Sequence, residues 1–157
     1  MDRRNRVDRM MRKSIAGLAA LLLVTMAALA RELGPAAPPA IAQALTTNHL
    51  YRVVLVTAPQ PVPMGKHFEL QLAIYEARSP GKRITDGQLD VTAGMTHGMG
   101  HEFMHGMQST PVVEALEGGY TVRGMMFHMQ GPWTLRVRVR EGGHSGTADL
   151  TLECCGG

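Results

Sequence analysis

An alternation of apolar and polar residues over positions 133–140 constrains the fold of this chain more than any other feature. Every second residue of the segment is apolar, and the residues between them are threonine or arginine. Successive side chains of a β-strand point to opposite faces of the sheet, so the pattern predicts a strand with one buried and one solvated face. The predicted buried face consists of Trp133, Leu135, Val137 and Val139.

Six further segments have the composition or alternation of strands, and turn residues separate them. They are 51–58, 67–77, 88–95, 111–116, 120–127 and 147–154. No segment after residue 50 has a helical period. About seven short strands with turns between them are typical of an antiparallel β-sandwich, so the sequence predicts an all-β sandwich domain.

The first thirty residues have the layout of an export signal. Six arginine or lysine residues precede 15–30, a run of 16 residues without charge. A transmembrane helix usually needs about 20 apolar residues, so this run is a little short. Residues 1–30 are therefore predicted to be a cleaved signal peptide or a retained anchor helix. Either outcome predicts a periplasmic or otherwise extracytoplasmic location for the rest of the chain.

Composition divides the remaining chain into three parts. Residues 31–48 contain three prolines and many alanines, which predicts a linker. Residues 49–153 hold the predicted sandwich, and 154–157 form a Cys-Cys-Gly-Gly tail. Residues 1–30 carry six of the sixteen basic and two of the thirteen acidic residues, so ten basic and eleven acidic residues remain, a net charge of about −1. This balance predicts no nucleic-acid partner, and membrane contact is predicted only through the N-terminal segment.

A cluster of methionine and histidine carries the strongest functional signal. Seven of the thirteen residues from Met95 to Met107 are of these two types, with glycines among them. Thioether sulfur suits Cu(I), and imidazole suits Cu(I), Cu(II) and Zn²⁺. Glycine gives the backbone freedom for neighbouring side chains to converge on one ion. The cluster therefore predicts a copper site, with Cu(I) preferred over Cu(II). Its candidate ligands are Met95, His97, Met99, His101, Met104, His105 and Met107.

A second group of methionines around His128 precedes the tryptophan strand. Loops of a sandwich can meet at the same end of the molecule, so His128 and Met129 complete the predicted ligand set. Five residues are expected nearest a common site: Met95, His97, Met107, His128 and Met129. Methionines at strand ends often fill the core. We therefore expect Met125 and Phe127 to point to one side and Met126 to the other, with one of these sets simply packed.

The order of an MxHGM-type segment, a Gly-Gly-Tyr hairpin and an FHMQGPW segment resembles the YtkA-like domain family, which is related to the FixH-like proteins. The resemblance covers about residues 53–139. The matching residues are Met95, His105, Gly106 and Met107 in the first segment and Phe127, Met129, Gly131 and Trp133 in the second. It implies an immunoglobulin-like (cupredoxin-like) extracytoplasmic sandwich linked to copper handling. The longer Met–His segment and the Cys154–Cys155 pair depart from the family pattern.

The sequence HEFMH at 101–105 also matches a zinc-protease signature. In that signature two histidines on one helix face bind Zn²⁺, and the glutamate acts as general base. Four glycines, at positions 94, 98, 100 and 106, each cost a helix about 1 kcal/mol relative to alanine. A zinc hydrolase is therefore a remote alternative. No other nucleophile–base set is evident, and the sequence does not predict an enzyme.

Cys154 and Cys155 are adjacent, and adjacent cysteines rarely bond to each other because the ring is strained. They are interpreted as a soft-metal ligand pair or redox handle, or else as an intermolecular disulfide or a frayed tail. Their position at the end of the chain is expected to keep them away from the Met–His cluster.

Together these features predict an exported copper-binding protein that acts as a Cu(I) chaperone, buffer, or resistance or assembly factor. A copper-dependent oxidase or a copper transporter is the expected donor or recipient of the ion. The alternative is a structural or interaction module without metal, in which the methionine-rich rim is a docking surface.

Overall fold

Residues 39–96 and 102–155 are described by a computed structural model of the chain. All described residues belong to one compact unit, Pro38–Gly157. The predicted leader 1–30 and the first part of the predicted linker lie outside the described residues. Candidate ligands His97, Met99 and His101 lie outside them as well.

Ten strands within the described ranges form two antiparallel sheets. The first sheet has the order β1 (Ala42–Leu45), β2 (Tyr51–Thr57), β3 (Phe68–Glu76), β8 (Gly119–Met125) and β7 (Val112–Leu116), with β4 (Arg83–Ile84) beside β3. The second sheet has the order β10 (His144–Cys154), β9 (Gly131–Glu141), β5 (Gln88–Met95) and β6 (His105–Gly106). The prediction of an all-β domain with antiparallel sheets is confirmed for residues 39–96 and 102–155.

Strand β9 shows why the alternation was a reliable guide. Its four predicted apolar residues are completely buried, and the arginines between them lie on the opposite face. Arg136 forms an ion pair with Asp149 at 2.8 Å, and Arg140 forms one with Asp90 at 2.7 Å. Surface pairs of this kind contribute at most about 1 kcal/mol, so burial of the apolar face dominates.

Both sheets contribute to one hydrophobic core, which gives the domain a sandwich-like arrangement. Representative buried residues from the two sheets are Val53, Leu70, Leu72, Val122, Val91, Leu135 and Leu150. Of the second methionine group, Met125 and Phe127 are fully buried, whereas Met126 is only half-buried. The expected division into an inward and an outward set is therefore confirmed.

Three short strands were not predicted. Strand β1 lies within the segment 31–48 that composition assigned to a linker, because residues Ala42–Leu45 pair along β2. Strands β4 and β6 have two residues each, too few for a periodic pattern. No helix in the part of the chain that is described is long and apolar enough to cross a membrane.

The strand directions define two ends of the second sheet. At the end that we call the sulfur pole, β5 ends at Met95, β9 begins at Gly131 and β10 ends at Cys154. At the opposite end, the turn pole, β9 ends at Glu141 and β10 begins at His144. The sulfur pole is therefore where the Met–His cluster leaves the sheet and where the tryptophan strand begins.

Candidate metal centre

The described part of the Met–His cluster forms a hairpin with β5. Gly94 pairs with Gly106, and Met95 pairs with His105. The Met104 amide donates a hydrogen bond to the Met95 carbonyl at 3.0 Å. The chain that leaves β5 at the sulfur pole thus returns to the same strand, and both ends of the cluster are fixed to the sheet.

Gly94 permits a close approach that holds this hairpin in position. A Cβ atom at position 94 would lie 2.5 Å from Phe103 Cγ and 2.9 Å from the carbonyl oxygen of His105, so a larger residue would collide with both. The Arg136 guanidinium lies over the Phe103 ring, 4.6 Å from its centre. Two hydrogen bonds to Asp149, of 2.9 and 2.8 Å, fix that guanidinium and raise its pKa.

The hairpin does not provide the helix that a zinc-protease signature requires. His105 lies in strand β6, and residues 102–104 are not helical. An extended chain separates residues four positions apart by roughly 13 Å, so the described residues of HEFMH lack the close i, i+4 spacing with which a helix brings two histidines to one ion. The other histidine of the motif, His101, lies outside the described residues.

Met95 reaches from β5 to the beginning of β9. Its side chain is 7% exposed and belongs to the core. The thioether methyl lies 3.2 Å from the point where a Cβ atom at Gly131 would be. Gly131 has φ +119°, a conformation that side chains rarely adopt. The glycine therefore leaves room for the tip of Met95 directly beside the turn that precedes Trp133.

Trp133 organises that turn. Its ring stacks on Phe127, with centres 4.3 Å apart and planes within 5°. Its indole Nε1 donates a 2.9 Å hydrogen bond to the Met129 carbonyl. The His128 ring meets the indole edge-on, with centres 5.4 Å apart and an interplanar angle of 76°. One buried side chain thereby positions both predicted ligands of the second group.

The Nδ1 atom of His128 is buried and has no hydrogen-bond partner among residues 39–96 and 102–155. Most buried polar atoms in native proteins have a partner, and a desolvated atom without one costs about 1–3 kcal/mol. Imidazole nitrogen is also a common metal ligand. The Ser109 hydroxyl is the other described atom in this condition.

The remaining candidate ligands differ in exposure. Met107 and Met129 are half-buried and pack against the core, and Met107 lines an open groove of about 610 Å³ between the sheets. Met104 is 65% exposed, and His105 is also exposed. The side chains of the described candidate ligands thus range from buried to exposed.

Among the residues that the structure describes, no three histidine, cysteine, aspartate or glutamate side chains lie close enough together to hold a metal ion. The candidate ligands that the structure describes are four methionines and two histidines. Such a donor set fits a soft ion such as Cu(I) and not a hard cation.

One expectation about the cysteines is wrong. The Sγ atoms of Cys154 and Cys155 lie in contact with each other. The pair does not lie away from the cluster, because Cys154 pairs with Gly131 across the β9–β10 ladder. The C-terminal strand runs the length of the sheet and returns the end of the chain to the sulfur pole.

Met64 is a further sulfur at this end that the sequence analysis missed. It forms an isolated parallel bridge with Phe127, and its side chain is 57% exposed. Its only local signal is a position between prolines and the start of a strand, which does not indicate proximity to His128.

Comparison with known proteins provides no assignment: no family model, curated protein or solved structure matches this chain.

Proposed function

We propose that this chain is an exported copper-binding protein that carries or buffers Cu(I) through methionine and histidine at the sulfur pole. One observation carries the proposal. The end of β5, with the tip of Met95, lies against the turn that holds His128 and Met129, and the His128 nitrogen is buried there without a partner among the described residues. Two segments with soft ligands are thus neighbours in the fold.

The chemistry of these donors favours copper. Thioethers are neutral and soft, and combined with imidazole they suit Cu(I) better than Zn²⁺, Ca²⁺ or Mg²⁺. Methionine also works outside the cytoplasm, where thiols are often oxidised to disulfides. The leader-like segment 1–30 supports an extracytoplasmic location, with membrane contact limited to that segment.

We further propose that the sandwich is of the immunoglobulin-like (cupredoxin-like) type and related to YtkA-like domains. Support comes from the two segments on which the resemblance rests. Gly106 of the first segment pairs with β5, and β5 pairs with β9, the strand that contains Trp133 of the second segment. Residues 40 positions or fewer apart in the chain are therefore brought to one end of one sheet.

The gradient in exposure suggests how an ion would enter and leave. Met104 is exposed, Met107 is half-buried and Met95 is buried. An ion bound first by an outer sulfur can pass inward by exchange of one ligand at a time, and the reverse order releases it. The proposed donor or recipient is a copper-dependent oxidase or a copper transporter.

Titration of the protein with Cu(I) in competition with a chromophoric chelator tests this function. We expect uptake of about one ion, and we expect Met95→Leu, Met107→Leu and Met129→Leu in combination to weaken binding roughly tenfold or more. Leucine keeps the volume and removes the sulfur, at a cost usually below about 1.5 kcal/mol per site.

A matched control is His144→Gln, which changes an exposed histidine at the turn pole and should leave Cu(I) binding unchanged. Absence of uptake by the unaltered protein would overturn the copper proposal. Equal affinity of the triple leucine variant would show that these sulfurs are not ligands.

The second candidate function is a docking module without metal, and the exposure of Met64 and Met104 favours it. In that case the two side chains contact a partner protein. A protein that takes up no Cu(I) but loses partner binding when both residues are replaced by glutamine would support this function.

A further inference from the structure

We propose that Cys154 and Cys155 form a redox-controlled part of the same site. Reduced to a dithiol, the pair supplies thiolate to Cu(I) at the sulfur pole and tightens binding. Oxidised to the disulfide, it withholds that ligand and favours release. This inference rests on the proposed function, and it adds a regulation and two ligands that the Met–His chemistry does not require.

The register of the second sheet places Cys154 beside the Met95 tip. Cys154 pairs directly with Gly131, and both belong to the inner row of residues that continues through Trp133 and Leu152. Directly paired residues of an antiparallel ladder have Cβ atoms about 4.5–5.5 Å apart. Met95 Cε lies 3.2 Å from the same Cβ position at Gly131. The Met95 methyl and the Cys154 Cβ are thus within about 9 Å of each other, with no side chain on Gly131 between them.

Burial distinguishes the two cysteines. Cys154 is 3% exposed and belongs to the core cluster, whereas Cys155 is half-buried. Cys155 also has φ +67°, so the chain turns out of the strand at this residue. The Cys154 side chain therefore packs in the core at the strand end that forms the sulfur pole, and Cys155 is the more accessible of the two for exchange with an external thiol.

The redox step is a thiol–disulfide exchange with an extracytoplasmic dithiol reductant. A thiolate of the reductant attacks Cys155 Sγ, the bond to Cys154 Sγ breaks, and Cys154 leaves as a thiolate. The second thiol of the reductant, as its thiolate, then attacks its partner sulfur in the mixed disulfide and releases Cys155 as a thiolate. Two electrons pass to the protein, and the reductant becomes a disulfide.

Formation of the dithiol changes the ligand set in a specific way. Thiolate is a stronger soft ligand than thioether, and only the deprotonated form binds metal. Cu(I) binding by the reduced protein therefore competes with protons on sulfur as well as on imidazole, whereas binding by the disulfide form through methionine and histidine competes with protons on imidazole alone. The reduced form should accordingly show the steeper dependence of affinity on pH.

Competition titration of the full chain with Cu(I), in the disulfide form and after anaerobic reduction and removal of the reductant, tests the inference. We expect the dithiol form to bind roughly tenfold more tightly or more, with thiolate-to-Cu(I) charge-transfer absorption in the ultraviolet. The double variant Cys154→Ser, Cys155→Ser should match the disulfide form in affinity under both conditions and lack that absorption.

The outcomes separate this inference from the proposed function. Equal Cu(I) affinity of the two redox forms, with both binding, overturns the redox control and leaves the methionine site intact. If neither the disulfide form nor the dithiol form binds Cu(I), both proposals are overturned. A thermal unfolding curve of the double serine variant that matches the unaltered protein ensures that a lost effect reflects lost ligands.

Discussion

The two ends of the second sheet differ in whether their buried polar atoms have hydrogen-bond partners among the described residues. At the turn pole, the buried Thr46 hydroxyl donates to Asn48 at 2.6 Å and accepts from the Tyr51 amide at 3.1 Å. The Tyr51 hydroxyl donates to Glu141 at 2.9 Å. At the sulfur pole, the buried Nδ1 of His128 has no such partner in the described part of the chain.

This difference separates stabilisation from ligand chemistry. Groups that complete one another's hydrogen bonds contribute to folding but have little capacity left for a ligand. A desolvated nitrogen near thioether sulfurs destabilises the protein by itself and gains a partner when a soft ion binds. The turn pole therefore has a structural role, and the nitrogen without a partner among the described residues is what supports the binding role proposed for the sulfur pole.

The largest expected effect tests how much Trp133 contributes to the stability of the sulfur pole. Trp133→Ala removes a completely buried ring that stacks on Phe127 and bonds the Met129 carbonyl. We expect the free energy of unfolding, measured with denaturant, to fall by about 3–5 kcal/mol.

Trp133→Phe is the control, because it keeps an aromatic ring and loses only the indole donor and part of the volume. Its loss should be clearly smaller. A loss below about 1 kcal/mol for the alanine variant would contradict the central role of this side chain.

At the turn pole, alkaline pH should weaken the fold. Desolvation, together with the hydrogen bond to Glu141, raises the pKa of Tyr51 from 10.0 to about 12. The folded state then holds a proton that the unfolded state releases, so this stabilisation is complete below pH 10 and is lost as the pH rises through 12. Two pKa units correspond to about 2.7 kcal/mol, and solvent screening at the hydroxyl should make the loss smaller than that.

Urea unfolding between pH 9 and 12 measures this loss, and Tyr51→Phe provides the comparison. In that variant the free energy of unfolding should fall less steeply with pH. Some pH dependence should remain from Tyr120, because burial raises the pKa of that tyrosine as well. An unchanged slope would mean that the Tyr51 hydroxyl does not carry the effect.

The smallest expected effect tests the comparison between the two poles most directly. Removal of a buried polar atom should lower the free energy of unfolding at the turn pole and leave it unchanged or raise it at the sulfur pole. Thr46→Val removes a hydroxyl with two bonded partners and should cost about 1–2 kcal/mol of unfolding free energy. His128→Phe keeps a ring against Trp133 and removes the nitrogen without a described partner. In metal-free protein we expect it to be neutral or to stabilise by up to about 1 kcal/mol.

Denaturant unfolding of both variants without metal measures the change in the free energy of unfolding that each substitution causes. If His128→Phe destabilises the metal-free protein as much as Thr46→Val does, the distinction between the two ends is wrong. The same His128 variant should weaken Cu(I) uptake.

Local patterns predicted the fold where the strands are long. The segment 88–95 was predicted as a strand and is β5, and the inner face of β9 was predicted residue by residue, because alternation is a local property of a half-buried strand. Strand β1 depends on its pairing with β2, and β6 depends on the space at Gly94. Neither relation is visible in a local pattern.

The candidate site was predictable in its chemistry and less so in its geometry. Residue types indicated soft ligands, and the meeting of the Met95 strand with the His128 turn was expected. The burial of Met95 and the contribution of Met64 were not, because they depend on tertiary packing. The register that brings Cys154 opposite Gly131 is likewise set by the length of a whole hairpin.

The setting of Trp133 has a practical consequence. It is the only tryptophan of the chain, and its ring touches the imidazole of His128. A copper ion held by that imidazole would quench the emission of this single indole. Occupancy could then be followed by intrinsic fluorescence in an unlabelled sample, and the position of the emission maximum would report whether the tryptophan remains dry.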